Sequence, residues 1–356
     1  MTRLSTMLPL TAALCATTIA LSAQTTVTIL PAKDTTLYEN INGDLANGAG
    51  PSVFIGRVGI TGGFGIRRTV MQYDIAAAVP AGARIIAAEL DWFSAQSAAF
   101  LPIQTFAHRV TTDWNEGTSQ APGQGGAGGV ALAGETTWLH TDFPNTFWNN
   151  PGGDFAATPS YTFDMPGIGA FLIPPAPGLV SDIQDMLDNP SNNFGWLFKT
   201  DEVQNTVARR LPSREALTFQ PFLEITYLMP GQTGAFGDGT VVNGSPFDLS
   251  LVGSANSGTT VPIVYTNAPT NAPGATFFAL ALDPIGLTLQ PGTTAYLPLA
   301  GFVAGPAFLT SATGDAAGLF SIPPVSPGFL VTMQAAVLDA SPLGFALSNA
   351  GTMLTQ

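Results

Sequence analysis

Short runs of alternating apolar and polar residues dominate the chain. Between Arg84 and Phe93, Ile86, Ala88, Leu90 and Trp92 fall on one face and Glu89 and Asp91 on the other, the period of a half-buried strand. The same parity turns Met71, Tyr73 and Ile75 inward, and likewise Leu223, Ile225 and Tyr227. A helical period occurs from Gly178 to Asn189, where Leu179, Ile183, Met186 and Leu187 share a face; Ser181 is placed to cap the start and Pro190 to stop it. Pro230-Gly231-Gln232-Thr233-Gly234 reads as a linker, after which Phe247 to Val252, Val261 to Tyr265, Thr276 to Leu282 and Phe329 to Leu338 are again strand-like. Two Gly- and Pro-rich stretches, 117–134 and 145–177, read as exposed loops. The pattern predicts an all-β chain: two β-sandwich domains (jelly-roll or Ig-like) in tandem, 24–229 and 230–356, with one short helix near 178–189.

Composition adds an address. Arg3, an apolar run from Met7 to Leu21, and the small residues Ser22 and Ala23 have the tripartite form of a secretory signal peptide, residues 1–23. Cleavage is expected near Ala23, giving a secreted protein, extracellular or at the cell surface. No membrane span is expected, because the run falls short of the roughly 20 apolar residues a helix needs to cross and is broken by Pro9, Thr11, Thr17 and Thr18. The single cysteine, Cys15, leaves with the signal, so disulfides, thiolate metal sites and cysteine nucleophiles are excluded from the mature chain. The formal net charge of −13 becomes −14 without Arg3, which opposes nucleic acid as a partner. All eleven Lys and Arg lie at or before Arg214, and residues 230–356 hold five Asp and no base, an asymmetry that supports the domain boundary.

Five segments carry a resemblance: Asp34-Thr35-Thr36-Leu37-Tyr38, Arg67-Arg68-Thr69-Val70-Met71-Gln72-Tyr73-Asp74-Ile75, Ala87-Ala88-Glu89-Leu90-Asp91-Trp92-Phe93, Thr112-Asp113-Trp114-Asn115-Glu116, and Arg209-Arg210-Leu211-Pro212-Ser213-Arg214-Glu215-Ala216 with Pro221 to Tyr227. In this order they resemble the DNRLRE (disaggregatase-related) domain family. The resemblance implies a β-sandwich attached to extracellular enzymes and surface proteins, with some members acting as alginate-binding modules. The letters of the family's name are not contiguous in this chain. The stretch from Gly328 to Asn349 resembles an uncharacterised C-terminal β-domain of secreted planctomycete proteins.

Catalytic chemistry finds little footing. No Gly-x-Ser-x-Gly elbow is present, and His108 and His140 are the two histidines. Asp113 and Glu116 are a carboxylate pair of glycosidase type only if their spacing in the fold allows it; the reading preferred here is Trp114 as packing and Glu116 as fixing a loop. Sugar recognition sets an aromatic ring against a pyranose face with a few polar groups for orientation. Among the loop aromatics Tyr38, Trp138, Phe147, Trp148 and Tyr161, the ligand-binding set is Trp138, Trp148 and Tyr161 with His140; Trp92 and Trp196 belong in the core. Arg67, Arg109, Arg209 and Arg210 would meet the carboxylates of an acidic polysaccharide. Asn40, Asn42 and Asp44 around Gly43 offer alternate oxygens for a structural calcium; no cofactor is required.

The expectation is therefore a secreted, non-catalytic protein that binds extracellular polysaccharide, with a C-terminal domain facing a surface or matrix protein. The alternative is a structural or adhesive surface protein without sugar binding, and a third reading, a lyase or hydrolase, would need His108 or His140 beside a Tyr and an Arg. Secreted from a bacterial host, the protein should begin at Gln24 on N-terminal sequencing; retention of Met7 to Leu21 in the exported chain would remove the signal-peptide reading.

Overall fold

Strands with one apolar face gain most by laying that face on a second sheet, and this pairing organises the chain. The computed structural model describes residues 24–63, 65–324 and 326–356; the segment 1–23, with Cys15 and the cleavage expected near Ala23, lies outside them. The protein is all-β, and the one described helix longer than four residues is Pro177–Asp188. No described helix is long and apolar enough to cross a membrane.

The four-stranded sheet runs Thr25–Ile29, Phe222–Leu228, Arg84–Ser94, Gly169–Ile173, all antiparallel. The eight-stranded sheet runs Tyr161–Met165, Ile103–Arg109, Trp196–Lys199, Ile66–Gln72, Ser52–Arg57, Arg209–Pro212, Gln96–Ser97, with Lys33–Tyr38 joined to 66–72 off this path. One core takes side chains from both: Ala88, Leu90, Trp92, Leu223 and Ile225 from the first, Ile55, Met71, Ala107, Trp196 and Phe198 from the second. At its centre Trp92 meets Phe198 edge-on, ring centroids 4.6 Å apart. The helix closes this core with Leu179, Ile183, Met186 and Leu187, the four residues its period singles out. Ser181 does not cap it. Ala176 is the N-cap and Pro177 stands at the first helical position, where a missing N–H goes unnoticed.

Two departures from simple alternation shape the molecule. First, the eight-stranded sheet is buried on both faces. Met71 and Phe198 enter the inter-sheet core, while their neighbours Val70 and Leu197 join a second cluster with Leu37, Ile66, Trp114, Trp138 and Trp148. The stretches read as exposed loops supply the cover: much of 110–155 folds over the outer face, and 145–177 contains the strands 161–165 and 169–173. Second, strand 84–94 carries a β-bulge. Thr226 faces Ala87 and Tyr227 faces Ile85, leaving Ile86 as the extra residue. Parity flips there, so Ile85 rather than Ile86 enters the inter-sheet core. Ile86 instead packs with Leu228, Leu330 and Leu354, joining the first part of the chain to the last.

From Thr233 onward the strands pair only among themselves. A six-stranded sheet runs Thr233–Phe236, Ala350–Leu354, Leu330–Leu338, Pro273–Ala279, Val303–Leu309, with Phe345–Leu347 beside 330–338; a three-stranded sheet runs Asp248–Leu251, Thr260–Thr266, Ala316–Ser321. Met333, Ala335, Val337 and Met353 from the larger meet Leu249, Leu251, Ile263 and Tyr265 from the smaller in a separate core.

Truncating Phe198 to Ala removes the ring between the sheets of the first core and should cost about 3–5 kcal/mol in a urea titration. Ile41→Ala, at a residue 93% exposed, should stay within about 0.5 kcal/mol of wild type. Equal effects would contradict this placement of the core.

Candidate binding grooves and a buried charge network

The ends of the recognisable segments meet in one network. Arg214 grips Glu116 with two parallel bonds, Nε to Oε1 and Nη2 to Oε2, both 2.7 Å, and its Nε lies 2.8 Å from Glu215 Oε1. Glu116 Oε1 also accepts the Asp34 N–H at 2.7 Å, and Asp34 Oδ2 accepts the Arg214 N–H at 2.8 Å. One oxygen from each of Asp34, Glu116 and Glu215 lies within 4.8 Å of the others, the one such acidic group of metal-ligand geometry among the described residues. Arg214 already stands where a cation would, and against three carboxylates it leaves an excess of negative charge. Asp34 Oδ1 and Glu215 Oε2 are buried without a hydrogen-bond partner among the described residues. Burial, reinforced by Glu215 and Glu116, pushes the Asp34 carboxyl well above the usual carboxylate range, and burial raises Glu215 as well. A proton on Asp34 would give the unpaired Oδ1 a hydrogen to donate.

Most other bases are also spent inside. Arg68 holds Glu202 through Nε and Nη2 at 2.7 and 2.9 Å, donates to the Gly152 carbonyl at 2.7 Å and lies over the Trp138 ring at 4.8 Å. Gly152 has φ +86°, and a Cβ there would stand 2.8 Å from that ring, so the contact needs glycine. Arg68 and Lys199 bring Glu202 below the usual range against the opposing effect of burial. Arg67 is buried over the Tyr38 ring and donates to the Gly126 and Ile66 carbonyls. Arg109 pairs with Asp182 and Asp185 of the helix at 3.5 and 3.1 Å. Arg209 is wholly buried and donates to the Pro166, Val207 and Leu101 carbonyls; burial lowers its pKa. In this structure the side chains of Arg67, Arg109 and Arg209 are committed to internal partners, against their expected role as ligand contacts, because a sheet buried on both faces draws its cations inward.

The aromatic candidates divide similarly. Trp148 packs in the outer cluster with its Nε1 on the Thr137 carbonyl, and Tyr161 sits in the inter-sheet core, so neither presents a face to a ligand. His140 is buried, its Nδ1 near the Thr137 hydroxyl and the Gly43 carbonyl, its ring against Phe143 and Phe147. His108 contacts the Ala156 carbonyl through Nδ1 and the Phe155 ring. Neither histidine has a Tyr or Arg as its hydrogen-bond partner. Of the five aromatics read as loop candidates, Phe147 is the exposed one, at 60%. Asn40 and Asp44 bond to each other (Nδ2 to Oδ1, 2.6 Å), and Asn40 Oδ1 accepts the Asn42 N–H. The expected calcium ligands thus close an Asx turn on themselves.

A depression of about 380 Å³ lies beside Arg84, Gln184, Asp185 and Asp188, and two more flank segment 57–63, one on each side. The first of this pair, about 510 Å³, is bounded by Glu39, Asn40, Ile41, Arg57, Trp138 and Leu139 and brings Asn40 and Trp138 together. The second, about 240 Å³, holds Arg209 and Arg210 with Gln96, Gln124 and Thr206. No carboxylate pairs with Arg67, Arg209 or Arg210 among the described residues, but the guanidinium of Arg210, unlike the other two, donates to no carbonyl either, and its Nε is buried. Of the lining residues, the sequence singled out Arg210 and Trp138 as sugar contacts and Asn40 as a calcium ligand, and it did not single out Arg57, Glu39, Gln96 or Gln124. The one available signal was Arg57 directly before a Gly-rich turn.

Comparison with known proteins adds little. No family model and no curated protein matches the chain. Among solved structures, a beta-1,2-glucanase from Parabacteroides distasonis matches at 9% identity and a TM-score of 0.18, covering 94% of this chain and 36% of that one. The chain spans about a third of the glucanase's length, and a likeness of that size carries no argument about fold or chemistry.

A carboxyl whose pKa is raised on folding adds stability at low pH, and the gain disappears as pH climbs from the ordinary value, 3.8 for Asp34, through the raised one. Asp34→Asn keeps a donor at this position and cannot ionise. Urea midpoints should therefore favour Asp34→Asn increasingly as pH rises from about 4 to about 8. A difference between the two proteins that does not change with pH would show that Asp34 has no raised pKa.

Proposed function

We propose that the protein is a secreted, non-catalytic polysaccharide-binding protein of two units, residues 24–229 and 230–356. The first unit, of DNRLRE type, would hold a sugar chain along the depressions flanking segment 57–63. The observation that carries this reading is Arg210: a half-buried arginine with no carboxylate partner among the described residues, lining a depression that also holds Gln96 and Gln124. Such a group is matched by the carboxylate of an acidic sugar, and the two amides by its hydroxyls. Arg57, Glu39 and Asn40 extend the polar lining beyond segment 57–63, beside Trp138. Trp138 is buried beneath Arg68 and offers no open ring face, so the directional polar groups and the concave shape are what match a glycan here. Arg57 and Arg210 at the two depressions also offset locally the net charge of about −9 over 24–229, which would otherwise repel a polyanion.

In this reading binding is reversible and no bond is cleaved: Glu116 is held by Arg214, and the histidines face backbone and hydroxyl partners. Affinity electrophoresis of residues 24–356 in gels of neutral and acidic polysaccharides, with calcium or chelator, tests it. Retardation by an acidic polymer without release of reducing or unsaturated ends is expected. Arg210→Met should weaken that retardation at least tenfold, about 1.4 kcal/mol, whereas Arg84→Met, at an exposed base outside both depressions that flank segment 57–63, should not. No retardation by any polymer would leave the structural or adhesive reading.

A further inference from the structure

The last third of the chain contains a cavity of a different character. The hairpin of Leu287–Gln290 and Thr293–Ala295 lies beside the six-stranded sheet, and a space of about 500 Å³ is lined by both. Ala275, Phe277, Ala336 and Leu338 contribute from the sheet, Leu289 and Leu297 from the hairpin and the segment after it. The one polar side chain in the wall with an amide or charge is Gln334, and its amide is fully used: Nε2 donates to the Thr294 and Ser348 carbonyls at 2.8 and 2.7 Å, and Oε1 accepts the Tyr296 N–H at 2.9 Å. Gln334 therefore ties the hairpin side to the sheet and leaves no polar group for a ligand. Leu299, Phe302 and Leu338 are exposed at the rim, an arrangement uncommon on a surface without a partner.

Charge narrows the occupant. Residues 230–356 contain no Lys, Arg or His, so an anionic headgroup finds no counter-ion in this part of the chain, and Asp283 and Asp339 near the ends of the lining segments repel one. The space is an open groove, and its apolar walls gain dispersion contacts from an apolar occupant that removes them from water. We propose that this cavity is a binding site for an uncharged aliphatic molecule, a neutral alkyl chain or alcohol on the order of 15 heavy atoms at the ~30 Å³ a small group takes in a liquid. The site is separate from the depressions around segment 57–63 and does not rest on the polysaccharide reading.

Fluorescence titration of residues 24–356 with the neutral apolar probe N-phenyl-1-naphthylamine tests this directly. One saturable site is expected, with 1-decanol displacing the probe at least tenfold better than decanoate at pH 8. Ala336→Phe fills the cavity and Leu299→Asp sets a charge on its exposed rim; each should weaken probe binding at least tenfold. Should Ala336→Phe fail to fold, Leu299→Asp, at a residue 72% exposed, carries the test alone. Absence of saturable binding, equal displacement by decanoate, or unchanged affinity in Leu299→Asp would overturn the proposal. So would probe binding that vanishes as copies associate in sedimentation runs, which would make this face an interface between copies.

Discussion

A guanidinium shared by two carboxylates is the constraint on which the first two thirds of the chain depend. Arg214 joins Glu116, 98 residues earlier, and its backbone N–H reaches Asp34, 180 residues earlier. The described chain has no cysteine, so loops of this length are closed by ion pairs and packing alone. Removing one partner from such a group strands the others in a low-dielectric setting, which is costlier than the pair itself is favourable. The same economy recurs at Arg68 with Glu202, at Arg109 with the helix acids, and at Arg209 with three carbonyls. Cations are few in this sequence, and most of those in 24–229 join segments distant along the chain.

That use of charge explains how much of the fold was legible. Alternation and turn residues identified an all-β chain, and the helical period around Leu179, Ile183, Met186 and Leu187 located the helix to within a residue or two at each end. The bulge at Ile86 was invisible because one extra residue changes parity without changing composition. The double burial of the large sheet was missed for a different reason. Val70-Met71 and Leu197-Phe198 are adjacent apolar pairs, the mark of a strand covered on both sides. The glycine-rich stretches that provide the cover carry the composition of solvent-exposed loops.

The site was legible in part for the same reasons. Of the motif residues that stood out in the sequence, Asp34 and Trp114 are buried, and Glu116 and Arg214 are paired with each other at partly exposed positions. Trp148 and Tyr161 were mistaken for surface aromatics because their setting looked like loop. The groups that line the depressions, Arg57, Gln96 and Gln124, sit between the recognisable segments, and nothing in their local sequence distinguishes them from ordinary surface residues. Folding assembles them at the ends of strands 52–57 and 209–212, where chemistry can vary without disturbing the network beneath.

The bulged strand has a mechanical meaning. Strand 84–94 presents Ile85 to one core and Ile86 to the leucines of 330–354, so it is wetted by apolar side chains on both sides of the junction. A pull between the two parts of the molecule would load this leucine contact and the short segment 229–232 in parallel, rather than the segment alone. Gln24 adds a further rung by bonding across to Thr233 and Ala235. Around Ile86 the strand is paired with 222–228 alone, and strand 169–173 joins it only at 90–94, so force arriving at Ile86 enters strand 222–228 first. A single inserted residue thereby makes this strand a lap joint, held by the core of its own sheets on one side and by the leucines of the last part of the chain on the other.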